Sequence, residues 1–287
     1  MMAKGIIDMR FRPPIPEWVS GPTFRTAMWY PRNTTTMPGA RSAWEESMDL
    51  LFDEMDEAGV TWGVIMGRAA SGHLGGVGND AIVRAVETWS DRFVAFPGVD
   101  LENIEPSLAE ARELASHPGM KGLSIEPGSS KTPRYSDDPA LDPVYEACLD
   151  LGLPVSISLS GLLSALAGHD ITWCSPVPIQ RLAMRHPDLK IIVSHASWPY
   201  AHEMVAVALF CQNVYVSPDL YVATANMPCR QTYVDAANLF LAGRTLFGTA
   251  YPTRPHLEAV RDFRDMGWRP EIVDRILYDN AAELLGL

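Results

Sequence analysis

Short apolar, β-branched runs recur along the chain, each followed by turn residues and then by a helical pattern. Runs at 5–9 (GIIDM), 61–66 (TWGVIM), 92–99 (RFVAFPGV) and 120–126 (MKGLSIE) predict the first four strands. Those at 154–159 (PVSISL), 190–195 (KIIVSH), 213–217 (NVYVS) and 245–249 (TLFGT) predict four more. Between them, stretches 44–58, 79–90, 105–116, 139–151, 178–186 and 200–211 place apolar residues at helical spacing. Near-continuous apolar strands alternating with amphipathic helices indicate a parallel sheet buried on both faces. Eight such units predict a single-domain α/β fold, a (β/α)8 TIM barrel spanning 1–287.

The longest loops follow the first two predicted strands, at about 12–43 and 67–78. Loops after strands form the catalytic face of a barrel. The first is rich in proline and aromatics (Trp18, Phe24, Trp29, Tyr30), which predicts a lid or pocket wall. The second carries the glycine-flanked His73. Neither a G-x-G-x-x-G nor a P-loop motif follows any strand, so no nucleotide phosphate site is expected.

Composition narrows the options. With 287 residues, 47% of them hydrophobic, the chain can bury one large core. A formal net charge of −12 argues against nucleic acid or anionic membrane as a partner. Cys148, Cys174, Cys211 and Cys229 are widely spaced and form neither a disulfide framework nor a zinc knuckle. The start of the chain lacks a signal-peptide pattern, and the most apolar stretch, 151–168, is too short and interrupted to span a membrane. A soluble, cytoplasmic protein is expected. A homo-oligomer is compatible with the pattern, although no stretch indicates one.

Against this acidic background, the first strand carries two cations. In "IIDMRFRPP", strand alternation places Asp8, Arg10 and Arg12 on one face. Guanidinium forks at a barrel mouth suit an anion clamp for a substrate carboxylate. The alternative is that they pair with barrel carboxylates such as Asp8 or Glu126. His195 closes an apolar strand at the catalytic end, where a histidine serves as general acid or base. Asp219 after strand 7 and Glu126 at the end of strand 4 are the candidate general bases. Ser158 and Ser160 alternate on strand 5 and are expected to hydrogen-bond substrate, because no G-x-S-x-G elbow is present. Tyr221, Tyr251 and, from the loop after strand 5, His169 complete the candidate binding residues. His117, His186 and His256 border prolines at helix boundaries and receive no role. His202, within a helix, is read as structural.

Taken as a set, the strand ends resemble the amidohydrolase-related family of metal-dependent barrels. That family includes aminocarboxymuconate-semialdehyde and resorcylate decarboxylases and pyrone-dicarboxylate lactonase. "IIDMRFRPP" resembles its I-D-x-H-x-H-x-x-P, and "HPDLKIIVSHASWPY" its strand-6 histidine segment. "NVYVSPDLY" resembles its strand 7, "LFGTAYP" its G-[ST]-D-Y-P, and "ILYDNAAELLGL" its terminal helix. The resemblance implies a barrel, a zinc-type metal site and a small carboxylated, aromatic or muconate-like substrate. The family's first two metal-binding histidines fall on Arg10 and Arg12, its strand-5 histidine on Ser158, and its strand-8 aspartate on Ala250. Guanidiniums repel a cation and do not lose their protons. The expectation is therefore an enzyme with no catalytic metal or other cofactor. Its expected reaction is lactonase-like ring opening of a small carboxylated substrate. A carboxy-lyase, or a hydratase or cyclase on an aromatic or unsaturated acid, is the alternative. A non-catalytic, ligand-binding barrel is the competing class.

Overall fold

The structure is a computed structural model that describes residues 4–22, 24–25, 39–69, 72 and 74–287. Trp29 and Tyr30 of the expected lid, and His73, lie outside the described residues. Among the described residues, seven parallel strands run in chain order: β1 (Ile6–Phe11), β2 (Val60–Met66), β3 (Phe93–Phe96), β4 (Leu123–Ile125), β5 (Val155–Ser160), β6 (Ile191–Trp198) and β7 (Val214–Ser217). They pair as β1-β2-β3 and β4-β5-β6-β7. Backbone bonds from Lys121 N to Ala95 O (2.8 Å) and Ser124 N to Pro97 O (2.9 Å) join the two groups.

The eighth predicted strand, 245–249, forms a single parallel bridge, Thr245 with Val216. It still closes the barrel. Leu246 N donates to Val216 O, and Met9 N donates to Phe247 O, both at 2.9 Å. A regular ladder stops there because the Asp8 carboxylate, not a strand carbonyl, accepts the Thr249 N–H (2.9 Å).

Helices alternate with the strands: α1 (Met48–Ala58), α2 (Asn79–Thr88), α3 (Ile104–Leu114), α4 (Asp142–Leu151), α5 (Val177–Arg185), α6 (Ala201–Phe210), α7 (Arg230–Ala236) and α8 (His256–Arg264). Their ends follow local chemistry. The Ser47 side chain accepts from Leu50 N at the start of α1, and Gly59, at φ 77°, closes its end. Among the described residues, no helix is long and apolar enough to cross a membrane.

Two apolar layers separate strands from helices, one around β1–β3 with α1, α2 and α8, the other around β4–β7 with α4–α6. A third cluster joins Ile7, Met9, Val64, Met66, Val94, Phe96 and Ile192 with Leu284 of the C-terminal helix Asn280–Leu285. It fills the barrel and plugs the end where the strands begin. Polar groups collect at the other end.

One expectation about β1 is corrected here. Asp8, Arg10 and Arg12 do not share a face. The pairing register with β2 shifts between Asp8 and Phe11, and such an irregularity re-aims side chains next to functional sites. Asp8 turns to Thr249 and His256, while Arg10 and Arg12 reach Glu126 on β4's side of the barrel.

Candidate active site

The strand ends bring together residues from across the whole sequence. Glu126, just after β4, is the hub. Its Oε1 accepts Nη2 of Arg10 and Nη2 of Arg12, both at 2.9 Å. Its Oε2 accepts Nε of Arg68, which follows β2. Ser158 Oγ on β5 lies 3.4 Å from Oε1. All of these groups are largely buried, with Arg10 1% exposed. Burial pushes the Glu126 carboxyl up, but Arg68, Arg12 and Arg10 overcome it and hold the group well below the usual carboxylate range. Burial, then Arg68 and Arg10, act on Arg12 in the opposite sense to Glu126 and weaken its hold on its proton.

One carboxylate does not use up three guanidiniums. Arg10 Nε and Nη1 and Arg12 Nε are buried without a hydrogen-bond partner. The Arg12 guanidinium also sits over the Trp18 ring, 5.3 Å from its centroid, so this part of the loop after β1 walls the site. Beside the cluster, a small cleft of about 30 Å³ opens between the loops after β2, β3 and β4. Arg68, Asp100, Ser124, Glu126, Ser130 and Lys131 are among its lining residues.

The second constellation lies at the ends of β6 and β7. Asp219 Oδ2 accepts the backbone N–H of His195 (2.9 Å) and stands 3.2 Å from His195 Nδ1. Its Oδ1 accepts from Ser217 Oγ at 2.5 Å. Burial pushes the Asp219 carboxyl up to about 7, partly offset by Arg10 and by the two donors. Burial and then Arg10 push the His195 imidazole well below its ordinary value, so it is neutral. Burial thus favours the protonated Asp219 carboxyl up to about neutral pH, beside a neutral His195 whose Nδ1 has no hydrogen-bond partner. The backbone here is strained: His195, Ala196, Ser197 and Asp219 all have φ between 47° and 65°. Non-glycine residues in that region cost about 1–3 kcal/mol each and cluster at functional sites.

An aromatic shelf completes the wall. Tyr221 stacks on Trp198 (4.7 Å between centroids, 9° between planes) and presents its edge to His195. Its hydroxyl pairs with Ser160 Oγ at 2.7 Å. Gly248 makes the close packing feasible, since a Cβ there would lie 2.6 Å from Asp219 Oδ1 and 3.1 Å from Arg10 Cβ.

The structure thus gathers Arg10, Arg12, Glu126, Ser158, Ser160, His195, Asp219 and Tyr221 at one barrel mouth. Two candidates lie apart from them. Tyr251 is buried against Phe11 and His256, and its hydroxyl is bonded to Ser42 Oγ (2.8 Å). His169 Nε2 lies 3.0 Å from Ser130 O, beside the cleft rather than on the arginine cluster. Sequence reasoning missed Arg68, whose signal was its place directly after β2, and also missed the Asp8–Thr249–His256 group. There Thr249 Oγ1 donates to Asp8 Oδ2 at 2.5 Å, and His256 Nε2 stands 3.2 Å from the same oxygen.

The sequence profile described as amidohydrolase matches residues 7–287, nearly the entire chain. The chain belongs to the amidohydrolase family. Among solved structures, an uncharacterised TIM-barrel protein from Bordetella bronchiseptica is 34% identical, with 98% of each chain covered and a TM-score of 0.89. The 2-amino-3-carboxymuconate-6-semialdehyde decarboxylase of Dictyostelium discoideum is 23% identical over 241 residues. That match covers 73% of this chain and 65% of the decarboxylase, so the chain spans less than two thirds of that relative. The 5-carboxyvanillate decarboxylase of Sphingomonas paucimobilis shares the fold at 15% identity, with a TM-score of 0.69 over 99% of this chain and all of that one.

The metal that the family resemblance implies does not fit these residues. A divalent ion needs several convergent neutral or anionic donors. In the sequence resemblance, Arg10 and Arg12 fall on the first two histidine ligands and Ala250 on the strand-8 carboxylate. Glu126 has both oxygens committed to guanidiniums.

Proposed function

We propose that this amidohydrolase-family chain is a carboxy-lyase. It removes CO2 from a small aromatic or unsaturated acid, using its own side chains and no divalent metal. The observation that carries the substrate class is the set of buried, unpartnered N–H groups on Arg10 and Arg12. They point to an anionic oxygen as their complement. The reaction class rests on the decarboxylase relatives and on the protonatable His195–Asp219 pair.

In this reading the Asp219–His195 pair delivers its proton to the substrate carbon that bears the carboxylate. The C–CO2 bond then breaks, its electron pair returns to the conjugated system, and CO2 departs. Asp219 is left ionised and regains a proton from water. Guanidiniums that gripped the departing carboxylate would stabilise the ground state most. They serve catalysis if they hold an oxygen that keeps its charge, such as a second carboxylate or an enolate conjugated with the reacting carbon. The Trp198–Tyr221 shelf orients a planar substrate, and Ser160 fixes the Tyr221 hydroxyl.

Lactonase-like hydrolysis, the first expectation from sequence, loses its place. It needs a base to activate water: Glu126 is held ionised by three arginines and is a weak base, and this reading uses Asp219 as the proton donor instead. The relatives reported above with a named activity are decarboxylases. The test is a panel of aromatic and muconate-type carboxylic acids incubated with the chelator-treated protein and read by mass spectrometry. A product lighter by CO2 is expected. A product heavier by one water, or no turnover across the panel, would overturn the assignment.

A further inference from the structure

We propose that Arg10, Arg12, Arg68 and Glu126 form a permanent cationic centre. It does the charge-stabilising work of a divalent cation, and Glu126 is its positioning residue. The inference rests on the anion-binding half of the reading above. Three guanidiniums and one carboxylate leave two formal positive charges at contact distance, the charge of a divalent ion. Burial weakens the hold of Arg12 on its proton, but Glu126 opposes that and a guanidinium starts from so high a value that all three keep their charge in the working pH range.

The geometry distinguishes a built centre from an accidental pile of charge. Glu126 touches each arginine once, through Nη2 of Arg10, Nη2 of Arg12 and Nε of Arg68, and so draws the three guanidiniums together. Arg12 is held from the other side by the Trp18 ring. Arg10 is anchored through its backbone N–H to Asp8 Oδ1 (3.0 Å) and is packed against Gly248. The edges left over, Nε and Nη1 of Arg10 and Nε of Arg12, are buried and unpartnered. Leaving such buried donors unsatisfied is costly, so they are best explained as donors kept for a ligand.

Ala250 fits the same logic. A metal centre profits from another carboxylate, whereas a guanidinium centre would be neutralised by one. At 9% exposure, Ala250 lies in a small apolar cluster with Leu220 and Tyr221 and adds no charge.

Benzoate, titrated into the full chain by calorimetry after chelator treatment, tests the proposal without needing turnover. Binding is expected to weaken with added salt and to be indifferent to chelator or to added zinc or manganese. Arg10→Met should weaken it at least about tenfold, the loss of charge-assisted hydrogen bonds. Glu126→Gln should lower the melting temperature yet tighten benzoate binding, roughly threefold or more, because the centre gains a net charge. Arg68→Gln, which keeps Glu126 anchored to the other two arginines, should weaken it and covers the case in which Glu126→Gln does not fold. Binding that requires zinc or manganese, no benzoate binding at all, or a Glu126→Gln loss as large as that of Arg10→Met would overturn the proposal. If benzoate binds as described while no acid loses CO2, the reaction assignment fails and the cationic centre stands.

Discussion

Replacing Asp219 with Asn should remove the pH dependence that this carboxyl gives to stability. The carboxyl is fully buried and accepts from Ser217 Oγ and His195 N. Burial outweighs those donors and moves its titration from 3.8 to about 7. Between about pH 4 and 7 the folded chain therefore holds a proton that the unfolded chain has released. Stability from this group falls as pH rises through that window and levels off above it. At about 1.4 kcal/mol per pH unit, the whole window is worth about 4 kcal/mol. Asn carries no titration and so escapes this loss. It can keep its carbonyl oxygen on the His195 N–H and turn its NH2 to Ser217 Oγ, at a cost of about 1 kcal/mol for the poorer hydrogen bonds. The variant should be about 1 kcal/mol less stable than wild type at about pH 3, where the carboxyl is protonated in both states, slightly more stable by pH 5 and up to ~3 kcal/mol more stable at pH 8. The neutral, buried His195 acts in the opposite sense, losing stability as pH falls below its ordinary value of 6.5, but it is present in both proteins and cancels in the difference. Urea unfolding at pH 5, 6, 7 and 8 measures that difference. A difference that stays flat across the series would mean that Asp219 is ionised throughout and is not the proton donor.

Two further substitutions separate the site from its supports. Gly248→Ala introduces a Cβ 2.6 Å from Asp219 Oδ1 and 3.3 Å from Arg10 N. It should cost about 1–3 kcal/mol by overpacking and also weaken anion binding by tilting Arg10, which calorimetry and melting together detect. Unchanged anion affinity would show that Arg10 and Asp219 do not depend on this close approach. Tyr251→Phe removes a hydroxyl bonded to Ser42 Oγ, which keeps its bond to Glu54 (2.6 Å). It should lower stability by about 1 kcal/mol and leave carboxylate affinity unchanged, and a fall in affinity would return Tyr251 to the substrate pocket.

Strand order and barrel closure were legible in the sequence because burial on both faces leaves a composition signal. Runs such as KIIVSH and PVSISL have little reason to exist elsewhere in an acidic chain. The arginines of β1 and Glu126 were visible as charges at strand ends, and so was the alternative that they pair. Their third partner was not, since Arg68 looks like any loop arginine until β2 and β4 are placed around one axis. The His195–Asp219 pair was legible in principle: β6 and β7 are parallel with Ser194 opposite Ser217, so residues just past each end become neighbours. What sequence patterning could not supply is direction where the backbone leaves the extended region. Strand alternation failed at β1, where the register shifts between Asp8 and Phe11. The same limit holds at His195 (φ 65°), Asp219 (φ 52°) and Ala250 (φ 56°), because none is a glycine that would have announced a left-handed turn. Tyr251 follows such a residue and points toward Ser42 in the outer layer rather than into the mouth. The strain that hides these side chains from a pattern-based reading also aims His195 and Asp219 at each other. The least legible backbone and the proposed proton pair therefore coincide, and a shared physical cause accounts for it: the packed barrel end holds His195, Ala196, Ser197, Asp219 and Ala250 in place against their local preference.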